Sequence, residues 1–367
     1  MNSTDVKVSV VMPIYNAYDY LRPAIDSIIC QTLGEIELIC VDDGSTDQSL
    51  DIIRQYQKKD ARIRIVTQTN AGPAVARNNG IRRARGEYIA FLDADDFYDP
   101  TLLETLYVRA KEEDLDIAIA EYDIYHSQKA TFAAAKKSPH HDVLAGGKVT
   151  SKNEHPNVIF SVTNGAAWNK LFRLSFILDN GLLFPTDMRV FEDVYFVLGA
   201  LSLAERVQLV CEVLVHHRIY SDQARAKLFR KYYTQIPEIY LRFKEFLMSR
   251  GMYAPLFSSY LNYTAGRTAR AFSHLSADAK ERLWNMLHDE YSERMDWHGR
   301  RLSDFETVEA CEFAANVEMF TYDQYKKFVA KGKKLNVKSM KPTFRLGKRR
   351  RRLANFFAKI FNIKKTR

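Results

Sequence analysis

This 367-residue sequence contains only four cysteines and lacks long apolar runs and the common glycine-rich phosphate loops. The cysteines are scattered without a CxxC pair, which argues against a disulfide framework or a thiolate metal site and favours a reducing compartment. No stretch approaches the roughly 18 apolar residues of a membrane-spanning helix, and the polar N-terminus does not resemble a signal peptide. Neither GxGxxG nor GxxxxGKS/T occurs, so the usual dinucleotide and P-loop signatures are absent.

The charge of the chain is unevenly distributed. Its net charge is +9, from 54 Lys and Arg and 45 Asp and Glu. Residues 331–367 contain 15 of the basic residues and no acid, which leaves 39 basic and 45 acidic residues, a net −6, in the first 330. The sequence therefore predicts a mildly acidic body and a strongly basic tail, and each needs its own explanation.

Strand and helix patterns alternate through roughly the first 120 residues. Five apolar segments predict strands: 6–12, 36–41, 63–67, 88–92 and 117–120. The helical spacing between them predicts a parallel, doubly wound α/β unit. We expect Pro13 to end the first strand and Ser45 or Thr46 to cap the second helix. Residues 130–156 predict an exposed connector.

Acidic residues follow one of these strands directly. Asp93, Asp95 and Asp96 come after the apolar segment 88–92. In an open α/β sheet, ligands bind at the carboxyl ends of the strands. Clustered carboxylates repel one another unless a cation lies among them, and their hard oxygen atoms suit Mg²⁺ or Mn²⁺. The alternative is a solvated acidic loop that caps the next helix, a role we expect for Asp96.

Further motifs accompany this acidic stretch in a fixed order. They are Pro13-x-Tyr15-Asn16, Val41-Asp42-Asp43-Gly44-Ser45-x-Asp47, Asn70-x-Gly72-x-x-x-Ala76-Arg77-Asn78-x-Gly80, Trp168-Asn169-Lys170-Leu171-Phe172 and Glu192-Asp193. Together with the acidic stretch, they resemble the family 2 glycosyltransferases of GT-A fold over residues 6–222. The resemblance implies a Rossmann-like, mostly parallel central sheet, a nucleotide-sugar donor and a Mg²⁺ or Mn²⁺ cofactor.

The resemblance also implies a division into domains. Residues 1–223 would form the GT-A domain, with a nucleotide-sugar half at 1–125 and an acceptor half at 157–223. Residues 224–330 are helix-prone and rich in Tyr and Phe, and they predict a helical C-terminal subdomain. The basic tail at 331–367 follows it.

The family's donor-binding residues map onto matching positions of this sequence. Asp42 would accept a hydrogen bond from a ring N–H of a uracil-type base, in a pocket lined by Pro13, Tyr15 and Gly44. The alternative for Asp42 is a turn that caps the next helix, a role better suited to Asp43.

Four further residues would hold the rest of the donor. Arg77 and Arg218 would reach the nucleotide and its diphosphate, although Arg77 could instead be a solvated helix charge. Asp95 would bind the cation that bridges the two phosphates. Asp93 would contact the ribose or reach the metal through water. His217, next to Arg218, could complete the metal shell, but a packed or surface histidine is the favoured interpretation.

Asp193 is the predicted general base, because the second acid of this pair deprotonates the acceptor hydroxyl in the resembling enzymes. Its apolar neighbours would raise the proton affinity of the carboxylate. Glu192 would orient the acceptor, and the alternative is an acidic pair favoured by the helix macrodipole. Trp168 could stack on a sugar ring or pack in the core, and Lys170 could meet the acceptor or a phosphate.

The basic tail carries an apolar stripe at helical spacing. The residues of the stripe and its leading charges are Arg350, Arg351, Leu353, Phe356, Phe357, Ile360 and Phe361. This pattern predicts an amphipathic helix that binds anionic lipids at the cytoplasmic face of the membrane. The alternative is a helix that packs on the body, and nucleic acid is not an expected partner because the acidic body offers no supporting surface.

These expectations combine into one predicted function. The protein would be a cytoplasmic, peripheral membrane enzyme, an inverting hexosyl- or N-acetylhexosaminyltransferase that uses a nucleotide-sugar, most simply a UDP-sugar. Its acceptor would be a hydroxyl of a glycan or lipid-linked molecule in cell-surface polysaccharide or glycolipid synthesis. One alternative is a metal-dependent sugar-phosphate nucleotidyltransferase, which needs no base at Asp193. Another is a non-catalytic membrane- or nucleic-acid-binding protein that depends on the tail alone.

Overall fold

The computed structural model describes residues 6–220 and 231–331. The chain divides into two compact units at residue 226. The predicted membrane-binding residues, at 350–361, lie outside the described residues, as does the predicted domain boundary at 223. Within the described ranges, no helix combines the length and the apolar character that crossing a membrane requires.

The first unit is built on one mixed sheet. Its strands are β1 (Val8–Ile14), β2 (Ile36–Asp42), β3 (Ile63–Thr67), β4 (Tyr88–Phe91), β5 (Phe97–Tyr98), β6 (Ile117–His126), β7 (Thr131–Ala134), β8 (Lys170–Arg173) and β9 (Val207–Ile219). They lie in the order β3-β2-β1-β4-β8-β6-β9-β5, with β7 paired to β6. The first four are mutually parallel, as predicted, whereas β8 runs antiparallel between β4 and β6.

Helices connect these strands. They are α1 (Tyr18–Ile29), α2 (Ser49–Gln57), α3 (Pro73–Ile81), α4 (Leu102–Glu112), α5 (Leu174–Asp179) and α6 (Glu192–Leu203). In α1, Leu21, Ile25 and Ile28 recur on one face, and all three are buried. All four residues of β4 are buried, which explains why this strand has no polar alternation.

The first strand continues through Pro13, so the predicted strand end is wrong. Val11 accepts a hydrogen bond from Leu92 and therefore faces β4. Pro13 lies two residues further along, so its backbone N and C=O groups also face β4, because the backbone groups of successive residues point to opposite neighbouring strands. Since β4 ends at Phe91, the missing N–H of Pro13 breaks no hydrogen bond of the sheet.

The predicted cap of the second helix is also wrong, because α2 begins later, at Ser49. The side-chain oxygen of Asn16 accepts the backbone N–H of Thr46 at 2.8 Å and so fixes the loop instead. Asp47 accepts the N–H of Ser49, the first residue of α2, at 2.9 Å.

The connector predicted at 130–156 begins with regular structure. Its first residues form β7, which pairs antiparallel with the second half of β6 as a hairpin. The sequence did not predict β7, because all four of its residues are exposed and the strand therefore lacks the alternation of apolar and polar residues that indicates a half-buried strand.

The second unit is helical over its described part, residues 231–331, as predicted. Its longer helices are Gln235–Ser249, Phe257–Ser273, Ala277–Met286, Val308–Met319 and Tyr322–Ala330. The aromatic residues that marked this region in the sequence form its core, since Phe243, Tyr260, Trp284 and Trp297 are fully buried. Their rings make edge-on and tilted contacts with neighbouring aromatic rings, which stabilise a small helical core.

Gly80 allows α3 to pack closely on β1. A Cβ atom on Gly80 would lie 2.2 Å from Cγ1 of Val11, whereas one on the exposed Gly34 would meet nothing within 4 Å. Gly80→Ala should therefore lower the free energy of unfolding by roughly 1–3 kcal/mol, the usual cost of overpacking. Gly34→Ala, the control, should change it by about 0.5 kcal/mol at most. Urea denaturation of both variants measures the difference, and equal midpoints would contradict this packing.

Candidate active site

Three carboxylates meet just beyond β4. One oxygen from each of Asp93, Asp95 and Asp96 lies within 4.8 Å of the others. Burial raises the pKa of Asp95 to about 6, and the charges of Asp96 and Asp93 contribute to this rise. A set of oxygen atoms whose mutual repulsion opposes ionisation fits a divalent cation, which would relieve that repulsion. The structure thus places Asp96 next to the predicted pair of ligands, Asp93 and Asp95.

Asp96 does not cap the following helix, so that expectation is wrong. Its carboxylate is fully buried, accepts the backbone N–H of Arg218 at 2.8 Å and lies 3.1 Å from Nδ1 of His217. In the turn before that helix, Asp99 instead accepts the N–H of Thr101 at 2.9 Å. The sequence alone could not indicate this, because the partners of Asp96 are more than 120 residues away on β9.

Arg77 joins the carboxylate cluster to the start of α6. Its Nη2 donates to Asp93 at 2.9 Å, and its Nη1 donates to Glu192 at 3.0 Å. The guanidinium group is buried and lies 5.3 Å from the ring centre of Phe184. Its Nε makes no hydrogen bond with any described residue. Arg77 is therefore no solvated helix charge, and it carries its positive charge between two predicted functional acids.

Asp193 lies in the first turn of α6, beside Glu192. Phe191, which precedes the helix, has a φ of 65°, a left-handed conformation that a bulky residue rarely adopts. Burial and then the charge of Glu192 raise the pKa of Asp193 to about 7, against the opposing effect of Arg77. A carboxylate with this pKa accepts protons effectively near neutral pH, as a general base must.

The residues of the predicted base pocket lie at the ends of β1 and β2. Ile14 pairs with Asp42, which brings Pro13 and Tyr15 next to the end of β2. Asp42 is buried and accepts the N–H of Ser45 at 3.3 Å, whereas Tyr15 is 52% exposed. Asp42 therefore does form the turn that was the alternative prediction for it. Only its Oδ1 atom accepts the Ser45 N–H, and its Oδ2 atom takes no part in this hydrogen bond.

The loop after β2 requires glycine at position 44. Gly44 has a φ of 72°, and a Cβ atom there would lie 3.0 Å from the backbone nitrogen of Asn70. Next to it, Asp43 accepts the N–H groups of Ala71 and Gly72, each at 2.8 Å. Asp43 thus positions the turn that leads into α3, the helix that carries Arg77.

β9 brings Arg218 and Tyr220 to the carboxylate cluster. Arg218 donates from Nε to the backbone oxygen of Asp95 at 2.7 Å, and its guanidinium carbon lies 5.1 to 5.4 Å from three ring centres. The rings are those of Tyr20, Phe97 and Tyr125. The hydroxyl of Tyr220 donates to the Asp95 carboxylate at 3.2 Å. Tyr220 was not predicted, although its place two residues after Arg218 on an extended segment was a usable signal.

Lys170 and Trp168 are buried beside the candidate site. Nζ of Lys170 donates to four oxygen atoms of residues 164–169 at 2.7 to 3.1 Å. Burial lowers the pKa of Lys170 to about 7, although the charge of Asp193 opposes the shift. Trp168 packs in the core of the sheet and stacks on His217 at 5.0 Å. Of the two predicted environments for Trp168, the structure therefore shows the core, and the ammonium of Lys170 is directed to its own loop.

Comparison with known proteins decides the family. The family described as Glycosyl transferase family 2 matches residues 9–173. The uncharacterized glycosyltransferase YibD of Escherichia coli (strain K12) is 30% identical over 279 residues, which are 74% of this chain and 80% of that protein. The chain belongs to glycosyl transferase family 2. The resemblance predicted from the motifs is thereby confirmed.

Two further proteins show how far the likeness reaches. The uncharacterized glycosyltransferase EpsJ of Bacillus subtilis (strain 168) is 36% identical over 211 residues, and the match spans 58% of this chain and only 60% of EpsJ. The crystal structure of S. aureus TarS 1-349 in complex with UDP-GlcNAc has a TM-score of 0.71 at 20% identity, covering 89% of this chain and 92% of that one. At this identity the likeness shows the fold, and it confirms the predicted GT-A architecture.

Proposed function

We propose that this family 2 protein transfers a hexosyl or N-acetylhexosaminyl group from a UDP-sugar to a hydroxyl of a glycan or lipid-linked acceptor, with inversion. The observation that carries the proposal is the double contact of Arg77. It ties Asp93, at the strand end where a donor diphosphate binds in such sheets, to the helix that carries Asp193. A metal-binding cluster and a candidate base are thus held at one site.

The carboxylate cluster supplies the donor side of the proposed mechanism. Asp93, Asp95 and Asp96 would hold a divalent cation, Mg²⁺ or Mn²⁺, to which their oxygen atoms are suited. A cation bound there would stabilise the negative charge that develops on the leaving diphosphate. Arg218 adds a fixed positive charge next to Asp95, held in place by the rings around it. Arg77, whose Nε has no partner among the described residues, offers one more donor in the same crevice.

Asp193 supplies the acceptor side. Its carboxylate takes the proton of the attacking hydroxyl, and Glu192, held by Arg77, orients the acceptor beside it. A single base that activates the acceptor for direct displacement gives inversion at the anomeric carbon. The nucleotidyltransferase alternative has no task for a carboxylate with a raised pKa at this position.

The preference for uracil comes from Asp42. A buried carboxylate at the end of β2 accepts a ring N–H, which uracil offers and adenine lacks. Pro13, Tyr15 and Gly44 complete the pocket. In its crystal structure TarS is in complex with UDP-GlcNAc, and a shared fold makes a UDP-sugar the first donor to test.

The proposal includes the division of the chain into domains and the location of the protein at the membrane. Residues 1–223 would form the catalytic domain, with residues 224–330 as a helical subdomain. The basic tail, residues 331–367, would bind anionic lipids at the cytoplasmic face of the membrane, where lipid-linked acceptors are found.

A donor panel tests the proposed reaction. The full-length protein, supplied with Mn²⁺, should release nucleoside diphosphate from at least one UDP-sugar in a panel that also contains GDP- and dTDP-sugars. Coupled detection of the nucleoside diphosphate measures this release. Release of pyrophosphate would instead support the nucleotidyltransferase alternative. A protein that turns over none of these donors would overturn the proposal.

A further inference from the structure

A cavity of about 230 Å³ lies within the first unit, among β6, β7 and β9. A bulge in β9 opens it. Ala120 pairs with Val210, but the next residue of β6, Glu121, pairs with Val213. The additional β9 residues turn Cys211 and Val213 to the cavity wall, since a bulge redirects side chains and parts the strands.

Among the polar groups of the cavity wall, Glu121 and His141 form a pair. Oε1 of Glu121 lies 2.6 Å from Nε2 of His141, and Nζ of Lys137 lies 3.7 Å from the same oxygen. Glu121 and His141 are both mostly buried, so their positions are held by packing. The remaining wall includes apolar side chains such as Leu209 and Val213. Hydrogen-bonding groups next to an apolar wall suit a sugar ring, which has hydroxyl groups at its edge and C–H groups on its faces.

The charge and the size of the cavity limit the class of ligand further. Lys137 and His141 are already paired with the Glu121 carboxylate, and Asp123 and the exposed Lys136 add one charge of each sign to the wall. A phosphate group placed beside Glu121 would therefore meet the negative charge of its carboxylate. The volume is below the roughly 300 Å³ at which pockets for drug-sized ligands begin. A neutral monosaccharide unit fits these limits better than a nucleotide or a phosphorylated group.

The cavity adjoins the candidate active site through two shared walls. Asn164 and Asn169 line the cavity, and their oxygen atoms also hold Lys170, whose pKa responds to the charge of Asp193. On the other side, Tyr122 lines the cavity and packs edge-on against Trp168 at 4.7 Å.

Trp168 continues this second wall to the carboxylate cluster. Its ring stacks on His217, and Nδ1 of His217 lies 3.1 Å from the Asp96 carboxylate. A ligand in the cavity would therefore be separated from the cluster by three packed side chains, Tyr122, Trp168 and His217.

We propose that this cavity binds a neutral sugar unit of the acceptor glycan and so selects a glycan acceptor. This inference rests on the proposed glycosyl transfer and specifies its acceptor. Contact with the acceptor was one of the alternatives predicted for Lys170 and for Trp168. In this proposal they do not touch the acceptor sugar but support the cavity wall: Lys170 holds Asn164 and Asn169, and Trp168 packs against Tyr122.

Ligand-observed NMR tests the cavity directly. Saturation-transfer measurements on the full-length protein would use methyl β-glucoside, methyl β-galactoside and methyl N-acetyl-β-glucosaminide as probes. We expect at least one glycoside to bind. Val213→Trp, which fills the cavity from an exposed position, should weaken this binding at least about tenfold, a loss of roughly 1.4 kcal/mol. Glu121→Gln should weaken it by a similar factor, because a hydrogen bond to a charged carboxylate becomes a weaker one to a neutral amide.

Val108→Trp is the matched control, because Val108 lies on α4 and has a similar exposure of 43%, against 48% for Val213. It should bind the glycosides like the unmodified protein. Equal binding by Val213→Trp and Val108→Trp, or no glycoside bound by the unmodified protein, would overturn the inference. Nucleoside diphosphate release by the unmodified protein, measured in parallel, separates this failure from failure of the proposed reaction.

Discussion

Asp193→Asn should lower kcat by about 10²- to 10⁴-fold, the usual contribution of a general base. Asparagine keeps the shape of the side chain but cannot take the proton of the acceptor hydroxyl. Donor binding should change little, because the carboxylate cluster and Arg218 belong to other elements. Steady-state kinetics with a donor found in the panel would measure kcat and the donor KM separately. A kcat within threefold of the unmodified protein would contradict the assignment of the base.

The pH dependence of the same variant gives an independent check. Because the pKa of Asp193 is about 7, the unmodified protein should lose activity about tenfold per pH unit below 7 and level off above it. Asp193→Asn should lack this acidic limb. Asp179→Asn, an exposed acid at the end of α5, should keep both the rate and the limb. A limb that persists in Asp193→Asn would assign the titration to another group.

The stability of Asp193→Asn should exclude unfolding as the cause of its lost activity. The pKa of Asp193 is raised by folding, so the folded state binds more protons than the unfolded state between about pH 4 and 7. Its ionisation therefore costs stability as the pH rises through this range. The asparagine variant carries no such cost, and it should be at least as stable as the unmodified protein at pH 8 in urea denaturation.

Local sequence patterns were sufficient for the parallel half of the sheet. The strands β1, β2 and β4 are short apolar segments whose burial on both faces leaves no alternation, and the helices α1 and α2 have clear apolar faces. Asp42 and Asp93 follow two of these strands, and parallel strands bring their carboxyl ends to one edge. The position of the candidate donor site at this edge could therefore be predicted from local patterns.

Contacts between distant segments could not be predicted in this way. Arg77 and Glu192 are 115 residues apart, and Asp96 and His217 are 121 apart. Their meeting depends on the antiparallel insertion of β8 and on the return of β9, which no local pattern indicates. Lys170 illustrates the same limit: its sequence motif predicts a functional cation, but only the folded loop shows which oxygen atoms surround its ammonium group.

Removing a carboxylate of the cluster should have an effect comparable to loss of the base. Asp95→Asn should lower the rate of nucleoside diphosphate release on the order of a thousandfold at moderate Mn²⁺. A bound cation contributes several kcal/mol to stabilising the leaving charge, and about 1.36 kcal/mol corresponds to tenfold in rate. EDTA should cause a similar loss in the unmodified protein. Added Mn²⁺ should restore the activity of the EDTA-treated unmodified protein but not that of Asp95→Asn.

Cation binding can also be followed without catalysis. Mn²⁺ should raise the thermal midpoint of the unmodified protein, because an ion that binds the folded state stabilises it and also relieves the repulsion that raises the pKa of Asp95. Asp95→Asn should lose most of this shift. Asp99→Asn is the matched control, since Asp99 bonds to Thr101 at the start of α4 and lies outside the cluster. If Asp95→Asn and Asp99→Asn responded alike to Mn²⁺, the carboxylates beyond β4 would not be the cation site.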